Sequence, residues 1–215
     1  MPATTPLVRA VDTPHGPARV QVLRAPRARA ALVLGHGAGG GVGAPDLQAA
    51  SEAALTRRVS VALVEQPYRV AGRRSPAPAR QLDAAWVAVL ATLRGRELRR
   101  LPLLVGGRSS GARVACRTAA EVGAMGVLCL AFPLRPPARA AAGAAAGAAR
   151  PSRLPELAAV EVPVLVVQGK RDRFDIPPAA PGREVVVVRG DHSLRSDAAA
   201  VRDAVRRWIE RVLAP

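Results

Sequence analysis

Lysine, cysteine and aromatic residues are nearly missing from this 215-residue chain, and each shortage excludes a class of protein. Of the 32 basic residues only Lys170 is a lysine; the other 31 are arginines, scattered among Ala, Gly and Pro as GC-rich codon usage would place them. No basic run alternates with aromatics to stack bases, and no zinc-finger or basic-zipper spacing occurs. The net charge of +16 and pI near 11.7 therefore read as a solvated arginine surface, with no specific nucleic-acid partner expected. The two cysteines, Cys116 and Cys129, both sit in apolar stretches, which rules out a disulfide framework and leaves thiols that behave as small hydrophobes. With aromatics at 2%, the core must be built from Val, Leu and Ala, so close packing replaces the area that rings bury. No apolar run approaches the ~20 residues needed to cross a bilayer, and MPATTPLVRAVDTPHGP has no signal-peptide core, so a cytoplasmic protein without membrane contact is expected. There is no H-E-x-x-H, no CxxC and no Walker lysine, and no metal or organic cofactor is implied.

What is present is ordinary for a folded domain: 49% hydrophobic and 22% charged residues, a length that suits one domain over 1–215. Short Val/Leu runs recur, at Arg19 to Leu23, Ala31 to Leu34, Ser60 to Val64, Leu103 to Val105, Gly126 to Ala131, Val164 to Gln168 and Glu184 to Val188. Between them Leu47 to Arg57, Gln81 to Leu93, Ser110 to Val122 and Ser196 to Leu213 suit helices. The alternation predicts an α/β protein with a doubly wound, mainly parallel sheet, because continuous apolar runs suit strands covered on both faces. Trp86 and Trp208 fall on helix stripes and read as core anchors. The stretch 133–155, PLRPPARAAAGAAAGAARPSRLP, is low in complexity and reads as a mobile loop followed by a marginal alanine-rich helix. It is the one segment available to cover a site.

The strongest local motif is Gly107-Arg108-Ser109-Ser110-Gly111 between an apolar run and a helix-compatible segment. This is the setting of a nucleophile elbow, where small residues two before and two after a serine let neighbouring backbone pass. Asp172, in Gly169-Lys170-Arg171-Asp172, and His192, in Gly190-Asp191-His192-Ser193, each follow a strand-like run. Open α/β sheets gather reactive groups beyond the carboxyl ends of their strands, and the chain order is Ser, Asp, His. Asp175 and Asp191 compete with Asp172 to orient His192. Asp191 adjoins the histidine too closely, and Asp175 precedes Ile176-Pro177-Pro178, where the chain leaves the site. The segment Gly35-His36-Gly37-Ala38-Gly39-Gly40 also matches a dinucleotide-binding fingerprint, with Glu65 after the next strand. Pro45 argues against it, since the helix would have to begin within the glycines, and an oxyanion loop fits the spacing better.

These four segments in order resemble the α/β-hydrolase superfamily, in particular its small branch without a large cap, related to dienelactone-hydrolase-like esterases. Within that branch HGAGG, GRSSGAR, AFPL-x-PP and QGxxDxF are similar to a family that includes bacterial proteins of unassigned substrate, an animal testis-expressed protein and a histone-acetyltransferase-complex subunit. The resemblance implies a triad of Ser109, Asp172 and His192, with oxyanion N–H groups from Ala38 and Ser110. The expected chemistry is hydrolysis of a small ester or thioester through an acyl-enzyme. Because the family includes animal assembly subunits, a catalytically idle protein-binding domain is the alternative. Candidate pocket residues are His36, Gly37, Gly39, Glu65, Tyr68, Arg108 and Arg135; many relatives carry histidine where this chain has Arg135. Arg113 is expected to pair with a buried carboxylate such as Glu65 and so brace the serine turn.

Overall fold

The computed structural model describes residues 6–136 and 151–214. Eight strands form one sheet: β1 (Leu7–Val11), β2 (Ala18–Leu23), β3 (Ala30–Gly35), β4 (Val59–Glu65), β5 (Leu103–Arg108), β6 (Gly126–Leu130), β7 (Val164–Gly169) and β8 (Arg183–Val188). Their order across the sheet is β1-β2-β4-β3-β5-β6-β7-β8, with β1–β2 and β2–β4 antiparallel and every other pair parallel. Among the described residues six α-helices flank it: α1 (Pro45–Thr56), α2 (Pro67–Val70), α3 (Ala79–Gly95), α4 (Ser110–Thr118), α5 (Leu154–Ala158) and α6 (Ala198–Val212), the last preceded by a 3₁₀ turn, Arg195–Asp197.

The apolar runs are continuous because both faces of the central strands are buried. On β7, Val164 and Val166 join the core under α3, α4 and α5, whereas Leu165 and Val167 join the core under α1 and α6; β3 divides Val33 from Leu32 and Leu34 in the same way. Each layer receives one tryptophan, Trp86 in the first and Trp208 in the second. Each indole closes on a strand glycine: a Cβ built on Gly35 would stand 3.3 Å from Trp86, and one on Gly126 would stand 3.0 Å from Trp208. Two rings set against glycines thus supply bulk that the 2% aromatic content otherwise denies the core.

The expected strands and long helices are all present, and β1, α2 and α5 are additional. The edge strand β1 escapes a sequence reading because only Val11 of its five residues is buried. Helix α4 stops at Thr118, four residues short of the predicted Val122. The helix α1 begins at Pro45 as its first residue, a position where proline's missing N–H is no loss, so the glycine-rich segment before it is a loop. Much of the alanine-rich stretch anticipated within 133–155, residues 137–150, lies outside the described residues.

Candidate active site

Ser109 stands between β5 and α4 with φ 52° and ψ −108°, a left-handed conformation that a serine adopts only under constraint. The glycines two before and two after it have one physical cause: a Cβ on Gly107 would lie 2.5 Å from the Gly35 carbonyl oxygen, and one on Gly111 would lie 2.4 Å from the same atom. The serine turn is therefore clamped against the end of β3, from which the glycine loop departs. Gly169 plays a comparable part at the end of β7, where a Cβ would stand 2.3 Å from the Asp191 carbonyl oxygen. Its bare backbone brings the loop after β8 against the loop after β7.

These close approaches bring together Ser109, Asp172 and His192, which come from three different strand ends. His192 Nε2 lies 3.0 Å from Ser109 Oγ, and His192 Nδ1 lies 2.8 Å from Asp172 Oδ2. The buried Asp172 carboxylate also accepts from the Phe174 N–H at 2.9 Å and from Gln168 Nε2 at 2.8 Å. An ionised carboxylate accepts only, so Nδ1 carries the imidazole proton toward Asp172 and Nε2 is left to accept from the serine hydroxyl. The Phe174 ring rests 4.4 Å from the imidazole between centroids. Neither rival acid meets the imidazole: Asp191 accepts from the N–H and hydroxyl of Ser193, and the Asp175 carboxylate pairs with Arg135 at 3.3 Å.

The glycine loop reaches the same place. Gly37 packs beside Ser109, and the N–H groups of Ala38 and of Ser110, the first residue of α4, have no acceptor among the described residues. Two residues proposed for a pocket also hold this loop. Tyr68 donates its hydroxyl to the Ala38 carbonyl at 3.0 Å, and burial pushes its pKa up. His36 is buried, accepts from the Gln66 N–H at Nε2 and turns Nδ1 to the Gly37 carbonyl, an arrangement only the neutral ring satisfies. Desolvation lowers its pKa accordingly.

The expected Arg113–Glu65 pair does not form. Glu65 turns toward Arg19 on the neighbouring β2, and Arg113 makes a forked contact with Glu156 on α5, which Arg117 also reaches. Helix geometry decides this: Arg113 and Arg117 are four apart on one face of α4, and α5 and Asp83 of α3 flank that face. Sequence reasoning missed Asp46, since nothing around it distinguishes it from a first-turn helix acid. Gln168 and Phe174 fall within the QGxxDxF motif, which gave them no part in holding Asp172. Arg108, expected to face a pocket, lines a cleft of about 290 Å³ with Arg171, Arg173 and His192, while its guanidinium turns to Asp46.

Solved structures with this architecture include a lidless a/b serine hydrolase from Xanthomonas campestris (18% identity, TM-score 0.74, 99% of this chain and 97% of that one). Est1E from Butyrivibrio proteoclasticus matches with 14% identity and TM-score 0.73 over 97% and 99% of the two chains. A dienelactone hydrolase from Anabaena variabilis matches with 15% identity and TM-score 0.71 over 96% and 98%. At these identities the likeness is one of fold. No curated protein sequence matches the chain. A family model described as an alpha/beta hydrolase domain matches residues 28–203, which takes in all four motif segments, and the chain belongs to that family.

Proposed function

We propose that the protein is a serine hydrolase of small carboxylic esters or thioesters. The observation that carries this reading is the unbroken hydrogen-bond chain from Asp172 through His192 to Ser109, at 2.8 and 3.0 Å. Ser109 Oγ attacks the carbonyl carbon as His192 Nε2 takes its proton, and Asp172 stabilises the resulting imidazolium. The oxyanion lies toward the N–H groups of Ala38 and Ser110, at the positive end of α4. Collapse of the tetrahedral intermediate expels the alcohol or thiol, which receives the proton from His192, and leaves an acyl group on Ser109. Water, deprotonated by the same imidazole, then hydrolyses the acyl-enzyme.

The test is a panel of p-nitrophenyl esters of graded chain length, run beside a fluorophosphonate probe with peptide mapping. Turnover of the shorter esters and a probe adduct on Ser109 are expected. A folded protein that neither turns over the panel nor takes the probe would leave the alternative, a hydrolase-fold domain used for protein binding.

A further inference from the structure

The guanidinium of Arg108 touches three segments that converge on Ser109. Its Nε lies 3.0 Å from Asp46 Oδ2, its NH2 group donates to the main-chain carbonyl of His192 at 3.1 Å, and its NH1 stands 2.7 Å from where a Cβ of Gly37 would be. Asp46 is the second residue of α1, immediately beyond the glycine loop, and its side chain is wholly enclosed; its other oxygen accepts from the Leu47 N–H. The bond from Arg108 is the one hydrogen bond to the main chain of His192 among the described residues. The arginine pairs on α4, Arg113 and Arg117 with Glu156 and Asp83, join helix to helix and touch none of the three loops.

We propose, resting on the hydrolase reading above, that Arg108 is a positioning residue for His192, anchored by Asp46, and that it sets the distance at which the imidazole meets Ser109. Arg108 immediately precedes the serine, so its backbone moves with the nucleophile while its side chain holds the base. A planar fork suits this role, since one limb is fixed by a buried carboxylate and the opposite limb reaches the carbonyl, whereas a lysine ammonium is a single point on a flexible stem. Burial drives the Asp46 carboxyl upward in pKa, and the positive charge of Arg108 works against that rise.

The experiment measures kcat, KM, melting temperature and probe-labelling rate for wild type, Arg108→Lys and the double variant Asp46→Asn/Arg108→Gln, which leaves no lone buried charge. The substrate is the best p-nitrophenyl ester of the panel. Because a displacement of about 1 Å can cost ~10²-fold in rate, the double variant should lose on the order of 10² in kcat and Arg108→Lys about tenfold, with KM held within about threefold and labelling slowed in parallel. A purely structural ion pair would lower the melting temperature and leave kcat within about threefold in the folded variants, and that result overturns the proposal. If the double variant does not fold, Arg108→Lys alone decides on the same criterion. Absence of turnover and labelling in wild type overturns the hydrolase reading together with this one, whereas an active wild type with unaffected variants overturns this one alone.

Discussion

Ser109 carries strain of roughly 1–3 kcal/mol in its left-handed backbone, and that strain separates its chemistry from its contribution to stability. Ser109→Ala should abolish turnover and probe labelling with little change in melting temperature, since alanine keeps the Cβ and hence the strain. Ser109→Gly should abolish both and melt higher, by an amount corresponding to about 1 kcal/mol. A lower melting temperature for the glycine variant would contradict the strain. The probe adduct should map to Ser109 and not to Ser110, which already lies in the first turn of α4. Among the nearby acids, Asp172→Asn should cost on the order of 10⁴ in kcat with the fold intact, because the amide no longer holds the imidazole in the required tautomer. Asp175→Asn should cost about tenfold or less: Asp175 meets Arg135 rather than His192, and asparagine tolerates its φ of 67°. Steady-state rates on a single ester decide between them, and an equal loss at both positions would undo the assignment of Asp172.

At the scale of elements, α4 is the piece whose placement everything else follows. Its first turn lies so close to β3 that Gly111→Ala must push backbone against backbone, with the added Cβ 2.4 Å from the Gly35 carbonyl oxygen. Overpacking of this kind costs about 1–3 kcal/mol or more, and the variant should show both a lower melting temperature and a displaced serine. Gly39→Ala, which meets nothing within 4 Å, provides the comparison. The outer face of α4 is held by Glu156, for which burial works to raise the pKa while the bonds from Arg113 and the charge of Arg117 prevail and lower it. A carboxyl whose folded pKa lies below its unfolded value contributes stability that is complete above the unfolded value, ~4.3, and is lost as pH falls through the folded one. The stability difference between wild type and Glu156→Gln, read from urea unfolding, should therefore be full near pH 7 and vanish as the pH is taken well below 4. A difference that persisted in acid would show that packing, not charge, joins α5 to α4.

Over the whole molecule the dominant property is its charge of +16. Many arginines near the serine are already occupied, Arg108 by Asp46, Arg113 and Arg117 by Glu156 and Asp83, and Arg135 by Asp175. Any affinity for duplex DNA should then be simple phosphate neutralisation, independent of sequence and lost by orders of magnitude between about 50 and 200 mM salt. Fluorescence anisotropy at several salt concentrations tests this, and a salt-resistant complex would contradict it. The sheet and its helices could be read from the sequence because strands buried on both faces leave a strong, local imprint: a run of Val and Leu bounded by Gly or Pro. The serine turn was legible for a similar reason, since Gly107 and Gly111 record in the sequence where backbone touches backbone. The order of Ser109, Asp172 and His192 was legible because each follows a strand whose end could be located. Partnership between side chains was not legible. Arg113 could have met Glu65 or Glu156 on charge alone, and the choice of Glu156 came from which helix lies against α4. Likewise Asp46 has unremarkable sequence surroundings, and only the folding of distant loops onto one another sets it beside Arg108 and the loop of His192. Local periodicity is written into neighbouring residues, whereas a contact between loops dozens of residues apart exists only once the sheet has fixed the distance between them.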